Sequence, residues 1–474
     1  MMRIKNLIVS VLLLFLLIYP LKTYSSGLTP SGIGAKALSL GGAFRGLADD
    51  WSATYWNPAG LAFQTKSEVN FSFMILSPRP KFTPDVTYNG WEVGYKNGMK
   101  WYPEDKNFFL PSFSGFLKFP ELNGFITGLA FYIPYRNSYK WDIYDPPRGY
   151  DNNVPYPEYD HEVDLTVLDF HPSVAKQFME GKLSLGAGIS IQKGDLTLRK
   201  LDLIPTDFPY PYNNTPNNLF PVDNLYEGDG WGFGGNIGLL FKASPKFQIG
   251  VSMKSPITIN LSGTRELTVY FPNDSLTADS IQRIDPVAAN HMRGSTLNST
   301  LDSDVKLELP ADFGVGIAYM PYANLTLTCD VNFTTWSTLK ELKFEENGKD
   351  PFGNEVTEYK IPLEWKDVTR FSLGLEYRPH TSVALRAGYF LNPTPIPDKT
   401  LTPLFFDSGE KNGITLGVGY KVKSFEVGYS YEFTGYRQNF LKPSKDVSPD
   451  SQTNLPGRYE NANHTAYFTL TYKF

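Results

Sequence analysis

From Val69 to the C-terminus the chain repeats one pattern, a large apolar residue followed by a small or polar one. Val69, Phe71, Phe73 and Ile75 alternate with Glu68, Asn70, Ser72 and Met74. Leu325, Leu327, Cys329, Val331 and Phe333 alternate with Thr326, Thr328, Asp330, Asn332 and Thr334. Phe425, Val427, Tyr429, Tyr431 and Phe433 oppose Ser424, Glu426, Gly428, Ser430 and Glu432. A period of two belongs to a strand with one greasy face. A soluble sandwich accounts for any one of these strands but not for their sum. So many greasy faces, with no helices to cover them, need a second packed sheet, whereas a barrel in lipid needs only the bilayer.

Composition supports the barrel. Aromatics make up 15% of residues and hydrophobic residues only 41%, and the mean hydropathy is −0.27. No apolar run of the roughly 20 residues that a membrane helix requires follows the first turns of the chain. A transmembrane barrel hides its apolar face in every second residue, so its mean hydropathy stays low. Alternating short and long connections divide the chain into about fourteen antiparallel strands, an even number of the kind such barrels use. Both ends then lie on the same, periplasmic side. The long connections include Arg199 to Asp229, Gly263 to Asp302 and Glu345 to Leu363, rich in Pro, Asn, Asp and Tyr and facing outward. Short ones such as Pro120 to Asn123 and Ser244 to Lys246 read as periplasmic turns. The last strand ends on Phe474, a terminal aromatic of the kind the bacterial barrel-assembly machinery recognises. That machinery is an expected partner during biogenesis.

Ahead of the strands come two segments of different character. Arg3 and Lys5 precede an apolar run from Leu7 to Ile18, and Thr23-Tyr24-Ser25 supplies small residues for cleavage, so residues 1–25 read as a secretory signal. Residues 26–64 show no strand alternation, and their Pro and Gly break any long helix. They read as a compact hatch inside a barrel formed by residues 65–474, placed in the outer membrane in contact with its lipid.

The hatch carries a spaced set of motifs: Gly41-Gly42-Ala43-Phe44, Ala48-Asp49-Asp50, and Trp56-Asn57-Pro58-Ala59-Gly60-Leu61-Ala62. This set resembles the N-terminal hatch of the FadL/TodX family of outer-membrane transporters for long-chain fatty acids and hydrocarbons. Lys254-Ser255-Pro256, the run Leu307 to Tyr319, Trp336-Ser337 and Pro395-Ile396-Pro397-Asp398 are similar to further stretches of the same family. The resemblance covers the length of the mature chain and is weakest from Tyr135 to Asp229. It implies that a hydrophobic small molecule, a fatty acid or hydrocarbon, is caught by outer loops and passes to a pocket above the hatch. It then leaves sideways through a gap near the third strand. In this chain Gly41, Gly42, Asp49, Asp50, Asn57, Pro58, Ala59 and Gly60 would form the hatch side of that gate. Gly128 on the third strand, with Gly124 and Pro134, would weaken pairing in the wall; Gly packing beside the hatch is the alternative.

An amphiphile with a carboxylate needs an apolar groove and a cation. Apolar candidates are Phe208, Phe220, Leu404, Phe405 and Phe406, whose other reading is a girdle or loop-on-loop packing. Inward cations include Lys254, Arg370, Arg378 and Arg386, which otherwise serve as partners for lumen carboxylates such as Asp330 and Glu376. Lys411 stands roughly where the family carries a basic residue.

Other classes find little support. A net charge of −5 gives no reason to expect nucleic acid. The single Cys329 cannot form an intramolecular disulfide. The five His show no metal spacing, and there is no nucleophile elbow and no phosphate loop, so no cofactor, metal or enzyme activity is expected. Two alternatives to a lipid transporter stay open: a general porin, and a structural or secretion-associated barrel that holds a protein partner.

Overall fold

The computed structural model describes Leu28 and residues 32–104, 107–118, 124–146, 149–150, 155–206, 208, 212–213, 217–405, 411–435, 439–440 and 455–474. The expected signal at 1–25, the turn at Pro120 to Asn123 and Phe406 lie outside the described residues. So does the side chain of Lys411.

The first strands of the wall, in chain order, are β1 (Glu68–Pro78), β2 (Phe108–Lys118), β3 (Phe125–Trp141), β4 (His161–Phe178), β5 (Leu183–Pro205) and β6 (Leu219–Ser244). β7 (Phe247–Lys254) breaks at Ser255-Pro256 and continues outward as β8 (Ile257–Tyr270). The return strand β9 (Thr296–Leu309) breaks at Pro310-Ala311 before β10 (Asp312–Tyr322). β11 (Leu325–Thr334), β12 (Glu341–Lys349), β13 (Glu355–Pro362) and β14 (Val368–His380) repeat that plan. β15 (Val383–Asn392), β16 (Lys411–Val422), β17 (Phe425–Gly435) and β18 (Asn463–Lys473) complete the wall.

The cylinder has 14 antiparallel strands. It closes where β1 meets β18, from Glu68 opposite Lys473 to Pro78 opposite Asn463. β8, β9, β12 and β13 stand on its outer rim as a side sheet, joined to the wall through β6 and β8. Both ends of the stretch Gly263 to Asp302, read from sequence as loop, are therefore strand: β8 runs out to Tyr270 and β9 begins at Thr296.

 The loop boundaries expected at Gly263 to Asp302, Arg199 to Asp229 and Glu345 to Leu363 are corrected accordingly. These strands run beyond the length a bilayer requires, and Ile259, Leu261, Leu267 and Val269 keep the period of two out to Tyr270.

The greasy rows face outward. On β17 Phe433 is 41% exposed, whereas Ser430 and Glu432 on the other face are 0% and 1% exposed. Phe73 stacks between Phe109 at 5.1 Å and Phe468 at 4.8 Å on that outer face. Among the described residues no helix is long and apolar enough to cross a membrane, so crossing falls to the strands.

One seam in the wall is half open. β2 and β3 pair from Phe113 opposite Phe131 to Lys118 opposite Ile126. Above that level β2 still pairs with β1 up to Phe108, while β3 pairs with β4 after a register shift between Tyr132 and Tyr135. Pro111 on β2 and Pro134 on β3 both lack an N–H, so neither can donate across the seam. Leu110, Ile133, Tyr132 and Phe108 fill it with apolar contacts. The backbone N–H of Arg136 donates to the carbonyl of Leu28 at 3.2 Å.

Inside the cylinder, residues 32–64 form α1 (Ala35–Ser39), α2 (Ala53–Trp56) and a 3-10 turn at Pro58–Phe63. The hatch touches the wall backbone to backbone. A methyl group on Gly250 of β7 would overlap the carbonyl of Arg45, and one on Gly186 of β5 would overlap Pro58. Only glycine permits that approach.

Candidate functional site

Three features lie along the axis of the cylinder. The outermost is an apolar groove of about 550 Å³ between the connection that follows β5 and the helices α3 (Ser275–Ile281) and α4 (Pro286–His291). Both helices are short and start on caps. Asp274 accepts the N–H of Thr277 at 3.1 Å, and Asp285 accepts those of Val287 and Ala288 at 3.1 and 2.9 Å, with Pro286 in the first turn. Phe208 and Phe220 line the groove with ring centroids 4.9 Å apart, and Phe271 lies 5.4 Å from Phe220. His291 stacks on Phe271 at 4.6 Å. Desolvation holds its pKa below the ordinary imidazole value, against the opposing pull of Asp285. Val287 is 68% exposed at the groove.

Below the groove, the outer loops close the lumen with an apolar core that includes Trp336, Trp365, Leu363, Leu404 and Phe405. Polar ties hold the loop carrying the last two. Asn137 donates to the carbonyl of Leu404 at 3.0 Å, and the Trp141 indole to that of Pro403 at 3.0 Å.

Under this cap and directly over the hatch lies a cavity of about 70 Å³. It forms where β7, β10 and β11 break, and its lining carries Arg45, Lys254 and Arg370 with Asp312. Arg45 is fully committed, to Asp312, Asn332 and Ser252. Arg370 donates to the carbonyl of Gly41 at 2.9 Å and lies 4.2 Å from the Phe390 ring. Lys254 makes no ion pair among the described residues, and its ammonium stands 3.0 Å from the centre of the Tyr55 ring. The ceiling is Tyr135, Trp336 and Val368. The arrangement suits an anionic head below and an apolar chain above.

The sequence candidates therefore fall in separate places. Lys254 lines the cavity over the hatch, Phe208 and Phe220 line the outer groove, and Leu404 and Phe405 belong to the cap. Arg386 lines a different, charged cavity on the other flank of the hatch, where its guanidinium holds Glu376 at 2.6 Å. Asp49 receives Lys36 at 2.7 Å, and Asp50 accepts the Ser52 hydroxyl at 2.6 Å, so both bind within the hatch. Contact with the wall comes instead from Lys36, 3.7 Å from Glu376. Gly41 and Gly42 take φ of 68° and 80° and turn the hatch past Tyr389 and Arg370.

Asn57 is the stitch between hatch and β6. Its amide donates to the carbonyls of Arg45 at 2.9 Å and Leu239 at 3.1 Å, and its oxygen accepts the Ala59 N–H. Pro58 packs over Gly186, the carbonyl of Ala59 takes the Ser184 hydroxyl at 2.7 Å, and Gly60 lies against Ala48. Gly128 makes room for the Phe116 ring across the seam from β2. Arg45 and Asp312 escaped the sequence reading. The available signal was one of only two cations in the hatch, the other being Lys36, and a lone carboxylate just after the Pro310 break.

A profile of the family described as "Outer membrane protein transport protein (OMPP1/FadL/TodX)" matches residues 27–474. The chain is 26% identical over 245 residues to the 47 kDa outer membrane protein of Pasteurella multocida, a match that spans 50% of this chain and 51% of that protein. It is 20% identical over 470 residues to outer membrane protein P1 of Haemophilus influenzae, covering 92% of each. The crystal structure of a Pseudomonas aeruginosa FadL homologue superposes with a TM-score of 0.72 at 19% identity, covering 95% of this chain and 100% of that one. This last likeness speaks for the fold.

Proposed function

Because the chain belongs to the OMPP1/FadL/TodX family of outer membrane transport proteins, we propose that it carries a long-chain fatty acid rather than an uncharged hydrocarbon. It is an outer-membrane transporter for hydrophobic compounds, and the finer reading concerns which compounds and by what route. One observation carries it: among the described lining residues of the cavity over the hatch, three cations share one carboxylate, Asp312, which pairs directly with Arg45 and leaves Lys254 without a direct ion pair. A carboxylate that loses its water there gains a charge-assisted hydrogen bond.

The route begins at the groove lined by Phe208 and Phe220, where an acyl chain leaves water. The cavity of about 70 Å³ takes the head group and the first carbons. The rest of the chain enters only if the cap repacks, and that cap is held largely by apolar contacts. Exit follows the half-open seam between β2 and β3, which is plugged by side chains and not by a full ladder of hydrogen bonds. The hatch stays in place, so no aqueous pore opens, and the cargo moves without covalent chemistry. Uptake of labelled oleate by cells with and without the gene tests this: slower uptake in the deletion strain is expected, and equal uptake contradicts the proposal.

A further inference from the structure

Beside the cation-lined cavity lies a smaller one of about 30 Å³, with Tyr55, Tyr135, Lys254 and Pro310 lining both. Its far wall comes from inward positions of β4 and β5, including Asp169, His171, Ser190 and Gln192. These side chains bind one another. One Asp169 oxygen, Oδ2, accepts the Ser190 hydroxyl at 3.0 Å and the Gln192 amide at 3.1 Å. His171 Nδ1 lies 3.0 Å from Ser190 Oγ and 3.5 Å from the same Asp169 oxygen, and its Nε2 lies 3.2 Å from Asn236 Oδ1. The Asn236 amide is already used, donating to the carbonyl of Thr54 in the hatch at 2.6 Å.

Two acceptors lack a hydrogen bond of good geometry among the described residues: Asp169 Oδ1 and Gln192 Oε1, both buried, in side chains that are each 3% exposed or less. The Tyr132 phenol, opposite Asp169 in the β3–β4 register, lines the same cavity beside that carboxylate. Leaving such groups unsatisfied is costly, most of all for a carboxylate. Lys254 lines the same cavity, has N–H groups to give and makes no direct ion pair among the described residues. The missing group must donate to an acceptor and accept from an ammonium. A carboxylate only accepts and an ammonium only donates. A hydroxyl does both, and a space of this size holds about one such group.

We infer that this side cavity is a specificity subsite for a hydroxyl carried close to the carboxylate of the transported acid, its one proton shared between the neighbouring Asp169 and Gln192 acceptors and its oxygen accepting from Lys254. The inference rests on the carboxylate reading above, because Lys254 serves both cavities and so ties the hydroxyl to within a few carbons of the acid group. The protein thus prefers hydroxylated acyl acids to plain ones of the same length.

The test measures the binding of laurate and β-hydroxylaurate to the full-length purified protein by displacement of a fluorescent fatty acid in detergent. In the unaltered protein the hydroxylated acid binds about tenfold tighter, the gain expected of one charge-assisted hydrogen bond. In Gln192→Met and in Asp169→Asn, each checked for a folded barrel by its heat-dependent gel mobility, the ratio of the two affinities falls towards one. If laurate binds and the ratio is already one in the unaltered protein, the cavity holds only water. The subsite is then overturned while the carboxylate reading stands. If neither acid displaces the probe, the carboxylate reading fails and takes the subsite with it.

Discussion

The hatch and the outer cap both block the lumen, but they are built from different interactions. The hatch meets the wall through glycines, the Arg45 cluster, Asn57 and the carboxylate of Asp330, which accepts the Phe44 and Arg45 N–H groups at 2.8 and 2.7 Å. Such contacts are directional and lose most of their energy when displaced by an ångström or so. The cap is a core of Trp, Leu and Phe, whose attraction is non-directional and tolerates repacking. The difference shows how one chain can pass greasy cargo and still exclude water: the polar lock stays shut while the apolar one yields.

The polar lock is most vulnerable at Gly250. Gly250→Val drives a side chain into the Arg45 carbonyl and is expected to expel the hatch or stop assembly, a loss of more than about 4 kcal/mol. Protease sensitivity of the hatch and ion conductance in planar bilayers both report it. Arg45→Met comes next. It leaves the half-buried Asp312 beside an apolar side chain and destabilises by about 3 kcal/mol, read as a lower urea midpoint for hatch release.

Lys254→Met leaves the lock intact and acts on cargo. Laurate affinity falls about tenfold, the worth of one charge-assisted contact, while a hydrocarbon of the same length binds nearly as before. On the apolar side, Phe208→Ala weakens capture in the outer groove by about fivefold without altering hatch protection. The smallest effect is that of pH. Burial keeps His291 neutral to a lower pH than free imidazole, so acidification from about pH 7.5 to about pH 5 places a charge in the groove. Capture of an uncharged ligand should then drop about twofold, and His291→Phe should remove the pH dependence.

The barrel was legible because alternation is a local signal, repeated in every strand from Val69 to Lys473. The side sheet is only partly legible: the loops expected at Gly263 to Asp302 and Glu345 to Leu363, on their Pro, Asn, Asp and Tyr content, take in the outer parts of β8, β9 and β12 and all of β13. Asn57 and Gly60 stood out in the sequence, but Asp49 and Asp50 gave no hint that their partners lie within the hatch. Lys254 was found as an inward cation at a strand end. Arg386, an inward cation of the same kind, lies instead in the charged flank with Glu376, and only strand register separates the two. The Asp169, His171, Ser190 and Gln192 cluster was invisible because its members are ordinary inward polar residues on two strands, joined only by pairing.

Native mass spectrometry of the gently extracted protein tests the central claim most directly, that a carboxylated chain rests over a closed hatch with its head on Lys254. An acyl chain should travel with the unaltered protein, and its occupancy should fall in Lys254→Met. A bare protein in both cases, or a bound polypeptide in place of lipid, would contradict the account.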